Sequence, residues 1–173
     1  LFWNDYDQLF SVMLAAPFPE SQPVPHLVLP FNVGNALRGH TYGLEIAADW
    51  RPLNDWRLQA SYSYLQMSLN DPAGTNEGSS PRHQFSLLSA LTVSPQIELN
   101  LWLRYVDELP ILQIPAYTSL DARLAWSPDP DLTFSLVGQN LLDDRHPEYF
   151  SADLGPVLGE IERGAYLKAL WRF

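Results

Sequence analysis

The chain has 173 residues, 20 acidic against 10 basic side chains, a formal net charge of −10 and no cysteine. The lack of thiols excludes a disulfide framework, a thiolate metal site and a cysteine nucleophile, and the acid excess excludes the basic face that nucleic-acid binding requires. Aromatic residues make up 13% and charged residues only 17%, against about 25% charge in ordinary soluble domains, yet no apolar run approaches the length of a membrane-crossing helix.

Proline cannot donate to a strand ladder, so the 15 prolines mark loops and strand starts. Between them, alternation with a period of two predicts a partial strand at 1–6 and full strands at 37–51, 56–69, 82–93, 97–106, 117–126, 132–141 and 161–173. The connections 52–55, 94–96 and 127–131 read as tight turns. Those at 7–36, 70–81, 107–116 and 142–160 read as long loops. Short and long connections alternate, which places them at opposite ends of the strands. A soluble sandwich has no physical reason to sort its loops by end. An outer-membrane barrel does, with short periplasmic turns and long extracellular loops.

The two faces of the predicted strands differ in charge. In 97–106, Ile97, Leu99, Leu101, Leu103 and Tyr105 oppose Glu98, Asn100, Trp102, Arg104 and Val106. In 161–173, Ile161, Arg163, Ala165, Leu167, Ala169, Trp171 and Phe173 oppose Glu162, Gly164, Tyr166, Lys168, Leu170 and Arg172. Across all full strands the apolar face carries a single charge, Arg163, at a loop end. The other face carries Glu45, Asp49, Arg51, Arg57, Arg82, Glu98, Arg104, Asp121, Arg123, Glu162, Lys168 and Arg172. An arginine or lysine facing lipid near the bilayer midplane costs about 2–4 kcal/mol and much less at the interface. That cost explains both the emptiness of the face and the position of its one exception.

Large aromatics on the apolar face cluster toward strand ends: Tyr42 and Trp50, Trp56 and Tyr64, Tyr105, Trp126, Trp171 and Phe173. A soluble core would hold them centrally, whereas interfacial girdles hold them at both ends. About ten residues per strand, tilted near 40°, rise about 25 Å, enough to cross the apolar band. The expected fold is therefore all-β: an antiparallel transmembrane β-barrel segment of about eight strands.

Several stretches resemble one family. The tail Leu167-Lys168-Ala169-Leu170-Trp171-Arg172-Phe173 looks like the C-terminal strand of bacterial outer-membrane proteins, with Leu167, Ala169, Trp171 and Phe173 as the signal that the barrel-assembly machinery reads. Pro115–Leu124 resembles the penultimate hairpin of TonB-dependent outer-membrane receptors. Asn140-Leu141-Leu142-Asp143 resembles their N-L-x-D motif, and Gly39–Glu45 resembles their G-x-x-x-G-x-E strand opening. The resemblance implies part of an active importer of a scarce nutrient in the bacterial cell outer membrane, a ferric siderophore being the commonest cargo. It implies partners in outer-membrane lipid and lipopolysaccharide, a TonB complex and a plug domain, and no cofactor. The family's barrel has 22 strands and a plug. With about eight strands and no plug-like segment, residues 1–173 are expected to be the C-terminal part of such a barrel, a fragment of a longer protein.

The resemblance and the loop composition together suggest contact residues. Loop groups able to hold an anionic chelate are Arg145, His146 and Tyr149, with His26 and Phe31 on the Pro-rich loop. Glu98, Arg104, Asp121 and Arg123 face the lumen, where they would meet a plug or else neutralise one another. For the latter the pairs Arg123–Asp121 and Arg51 with Asp49 and Glu45 are the expected ones. Alternative readings are a self-contained eight-stranded barrel with a structural or adhesive role, an outer-membrane enzyme using Asp143, His146 and Ser151, and a soluble β-sandwich. The four histidines are scattered, which gives no metal-ligand pair, and no catalytic residue is assigned.

Overall fold

The structure, a computed structural model, describes residues 1–70, 76–151 and 157–173. Its strands are β1 (Phe2–Leu14), β2 (Phe18–Glu20), β3 (His26–Val28), β4 (Phe31–Leu53), β5 (Trp56–Leu69), β6 (His83–Ser94), β7 (Ile97–Val106), β8 (Tyr117–Asp129), β9 (Leu132–Gln139), β10 (Arg145–Ser151), β11 (Val157–Glu162) and β12 (Gly164–Trp171). Eight of them form one sheet in the order β1-β4-β5-β6-β7-β8-β9-β12, antiparallel at every step. β1 and β12 are its edges and do not pair with each other, so the sheet is open.

The predicted sorting of connections holds. β4–β5, β6–β7 and β8–β9 are joined by two-residue turns at 54–55, 95–96 and 130–131. The long connections all leave from the other ends of these strands. Two of them are built differently from expectation. The region 7–36 is not a loop throughout, because β1 runs on to Leu14 and β4 starts at Phe31, paired as Val12 with Val33 and Leu14 with Phe31. Residues 9–14, apolar except for Ser11, supply that extension. The prolines stop the pairing only from Pro17 onward, where the small β2–β3 hairpin forms. The region 142–160 likewise holds the β10–β11 hairpin, with Pro147 tolerated beside a register shift. Ile161 and Glu162 accordingly end β11 and do not open the last strand.

Register confirms the two faces. An unbroken apolar row crosses six strands: Trp56 opposite Leu91, Leu91 opposite Leu99, Leu99 opposite Leu124, Leu124 opposite Leu136 and Leu136 opposite Leu167. On β8, β9 and β12 this row is exposed, with Leu124 at 48%, Leu136 at 51% and Leu167 at 81%. Their small neighbours on the polar face are buried, Ser119 and Ala125 at 1% and Ser135 at 4%. A sheet folded for water would bury the leucines and expose the serines. The inversion is what lipid on one side and a crowded interior on the other require.

Two glycines of the G-x-x-x-G-x-E opening have a steric reason. A Cβ on Gly39, at φ +158°, would lie 2.1 Å from the Ser68 carbonyl oxygen. A Cβ on Gly43 would lie 2.1 Å from the Tyr64 carbonyl oxygen and 2.6 Å from the Phe2 ring. The motif therefore lets β4 close tightly against β5 and seats the Phe2 ring of β1.

Candidate functional site: the polar face and the external hairpins

The charges on the polar face pair across strands, as expected, but with other partners than those anticipated. Arg104 of β7 meets Asp121 of β8 at 2.9 Å, and Arg123 of β8 meets Glu98 of β7 at 3.3 Å. Arg57 of β5 makes a two-nitrogen contact with Asp49 of β4, to which Gln59 also donates, at 3.1 Å. The register explains the exchange. Asp121 lies opposite Trp102, Glu98 opposite Ala125 and Asp49 opposite Gln59, so each ion pair is a diagonal one, two residues off the direct partner. Residues i and i+2 on one strand stand side by side with parallel side chains, whereas a long arginine reaches a diagonal neighbour easily. The pairs Arg123–Asp121 and Arg51–Asp49 are accordingly not formed.

Between these pairs lies an open recess of about 470 Å³ on the polar face, lined by Glu45, Ser61, Gln84, Ser86, Trp102 and Arg104 among others. Trp102 is the large aromatic of this wall. Its indole N–H donates to Ser86 at 2.8 Å, and the Arg104 guanidinium carbon lies 4.3 Å from its ring centroid. The outward face carries clustered rings, Tyr42 among them as expected. Trp3 and His40 stack at 4.6 Å and Trp3 and Tyr42 at 5.6 Å, while His83 accepts or donates a 2.8 Å hydrogen bond with the Tyr62 hydroxyl.

The candidate contact residues do not form one group. His26, in β3, pairs with Glu20 across its own hairpin at 3.1 Å, and Phe31 is exposed at the start of β4. Arg145 pairs with Glu160 across the β10–β11 hairpin at 3.6 Å, and Tyr149 is exposed. No hydrogen bond, ion pair or ring contact among the described residues joins the two hairpins. His146 requires a correction, because it is only 4% exposed and sits beneath its hairpin. Its ring stacks on Tyr117 at 4.2 Å, and its Nε2 lies 2.9 Å from a Glu148 carboxylate oxygen. Glu148 also lies close enough to Tyr117 for its charge to act on the phenol. His146 is thus enclosed between its own hairpin and Tyr117 of β8. Tyr117 and Glu148 were not singled out from the sequence, although Glu148 two residues from His146 on a strand is the signal that both face one way.

The enzyme alternative gains no geometry. The partner of His146 is Glu148, not Asp143, whose side chain accepts from the Asp144 backbone N–H at 2.9 Å. The side chain of Ser151 lies outside the described residues.

The N-L-x-D stretch is a structural corner. Asn140, at φ +50°, is a residue type that tolerates the left-handed region. Its backbone N–H donates to Asp121 at 2.9 Å and its side-chain amide donates to the Ile161 carbonyl at 3.0 Å. Arg163, the one charge expected on the apolar face, lies in the break between β11 and β12. It donates to the Asp143 carbonyl at 3.2 Å and pairs with Asp144 at 3.1 Å, closing the base of the β10–β11 hairpin.

An open antiparallel sheet with an exposed apolar face, terminal aromatics and a charge-paired polar face is a segment of a transmembrane β-barrel wall. The chain belongs to the TonB-dependent receptor-like β-barrel family, whose model matches residues 1–141. Among curated protein sequences none matches. Among solved structures, the FpvAI–pyocin S2 complex superposes with a TM-score of 0.65 at 13% identity, covering 94% of this chain and 24% of that one. P. aeruginosa FpvA bound to heterologous pyoverdines superposes with a TM-score of 0.63 at 13% identity, covering 92% and 23%. At that identity the likeness shows the fold. The chain spans about a quarter of the length of these structures.

Proposed function

We propose that these eight strands form part of the wall and external loops of a TonB-dependent receptor in the bacterial outer membrane, which actively takes up a scarce nutrient, a ferric siderophore being the favoured cargo. The observation that carries this reading is the apolar row that crosses six strands, exposed on β8, β9 and β12 above buried serines, in a chain of this receptor family. The unpaired edges β1 and β12 favour a piece of a larger barrel over a self-contained eight-stranded one. The cargo is proposed from the FpvA structure, described as bound to pyoverdine and iron. Arg145 and Tyr149 on the β10–β11 hairpin, with His26 and Phe31 on the extended β1–β4 hairpin, are the proposed ligand contacts, and Glu98, Arg104, Asp121 and Arg123 line the side facing a plug. Uptake of radioiron-loaded hydroxamate and catecholate chelates, in cells carrying the full-length protein under iron limitation, tests the reading. Uptake that requires both this protein and an energised inner membrane supports it. Equal uptake in a deletion strain for every chelate tried overturns the siderophore assignment, and a protein that fractionates away from the outer membrane overturns the receptor reading.

A further inference from the structure

Among the described residues, four buried side-chain atoms make no hydrogen bond within the protein: Arg104 Nε, Ser119 Oγ, Asn140 Oδ1 and His146 Nδ1. All four belong to residues on, or in contact with, the stretch Tyr117–Asp121 of β8. Tyr117, Ser119 and Asp121 are alternate residues on the polar face of β8. Arg104 is the direct cross-strand partner of Ser119 and also pairs with Asp121. Asn140 is tied to Asp121 through its backbone, and His146 lies flat on Tyr117. Ser119 and Asn140 are 1% exposed and His146 4%, so bulk solvent does not satisfy these groups, and buried polar atoms are rarely left unpaired in a folded protein.

The chemistry of the four atoms defines what fits them. Arg104 Nε–H only donates, and Asn140 Oδ1 only accepts. The Glu148 carboxylate accepts from His146 Nε2, and in that tautomer of the imidazole Nδ1 is an acceptor. Ser119 does either. An anion would face two acceptors, and a cation would face the arginine. Water donates and accepts, and suits a polar site with several partners. We propose that ordered water bridges these atoms and forms an internal joint that fixes the β10–β11 hairpin to the barrel wall. The joint links Arg104, on the wall, to the external hairpin through two routes. One is Asp121 with Asn140, and the other is Tyr117 with Glu148 and His146.

The test uses the full-length protein. A crystal structure that resolves ordered solvent is expected to show water within hydrogen-bond distance of at least three of the four atoms. Direct pairing of these atoms with one another, or an ion at coordination distance from them, overturns the proposal. Hydrogen exchange of the hairpin amides in Ser119→Ala and His146→Phe supplies a second readout. The phenyl ring keeps the stack on Tyr117 and removes both nitrogens. Loss of one hydrogen-bond equivalent in Ser119→Ala is expected to speed exchange in Arg145–Phe150 and Val157–Glu162 about tenfold, and His146→Phe, which also loses the Glu148 contact, by more. If His146→Phe fails to fold, Ser119→Ala carries the comparison, since no hydrogen bond within the protein is lost there. Unchanged hairpin exchange in the folded variants overturns the joint. The outcome is independent of which nutrient the protein carries.

Discussion

Leu124→Arg separates a lipid-facing sheet from a water-facing one. Leu124 sits in the row between Leu99 and Leu136, on a strand paired on both sides, and is 48% exposed. In water, a charge at a half-exposed sheet position changes stability by about 0.5 kcal/mol or little more. In a bilayer, arginine near the midplane costs about 2–4 kcal/mol, a shift of roughly thirty- to several-hundred-fold in the folding equilibrium at about 1.4 kcal/mol per tenfold. The measurement is reversible unfolding of the full-length protein in phospholipid vesicles, compared with Leu170→Arg. Leu170 lies on the polar face opposite Thr133, where the same charge is expected to cost about 1 kcal/mol or less. Equal and small effects at both positions would refute the assignment of the apolar face to lipid. A large loss at Leu170 with none at Leu124 would reverse the two faces.

Asp121→Ala removes the partner of Arg104 and the acceptor of the Asn140 backbone N–H together, and is expected to cost about 2–3 kcal/mol in the same vesicle assay. Arg163→Ala breaks an exposed pair with Asp144, so global stability is expected to fall by less than about 1 kcal/mol, while limited proteolysis at the β10–β11 hairpin becomes faster. Gly43→Ala forces a Cβ onto the Tyr64 carbonyl, a backbone atom that cannot turn aside, and is expected to cost about 2–3 kcal/mol or to prevent assembly. Gly34→Ala, with nothing nearer than Ser11 Oγ at 3.7 Å, is expected to be tolerated, and heat-modified mobility on gels compares the two. Arg145→Ala and Tyr149→Ala are expected to weaken chelate binding to cells without lowering the amount of protein in the outer membrane.

The strands of the wall were legible because one physical constraint acts on every residue of them. Lipid on one side makes alternation strict, so even the ends of 56–69 and 97–106 fall where the alternation stops. The external hairpins were less legible for the converse reason. Outside the membrane no single solvent enforces a period, and prolines such as Pro19 and Pro147 sit inside short two-stranded pieces that a ladder rule reads as loop. His146 shows the limit most clearly. A histidine among Asp143, Asp144, Arg145 and Glu148 looks solvated in sequence, yet stacking on Tyr117, a residue 29 positions earlier on β8, buries it.

By itself the sequence determined which side chains share the apolar face, where the tight turns fall and at which strand ends the long connections lie, because these follow from the two-residue repeat. Only the tertiary structure decided which arginine meets which acid. That choice depends on the register between neighbouring strands, which makes Arg104–Asp121 and Arg123–Glu98 diagonal neighbours. It also decided that the N-L-x-D corner, Arg163 and His146 hold an external hairpin against the wall, since that contact is set by geometry that no local pattern encodes.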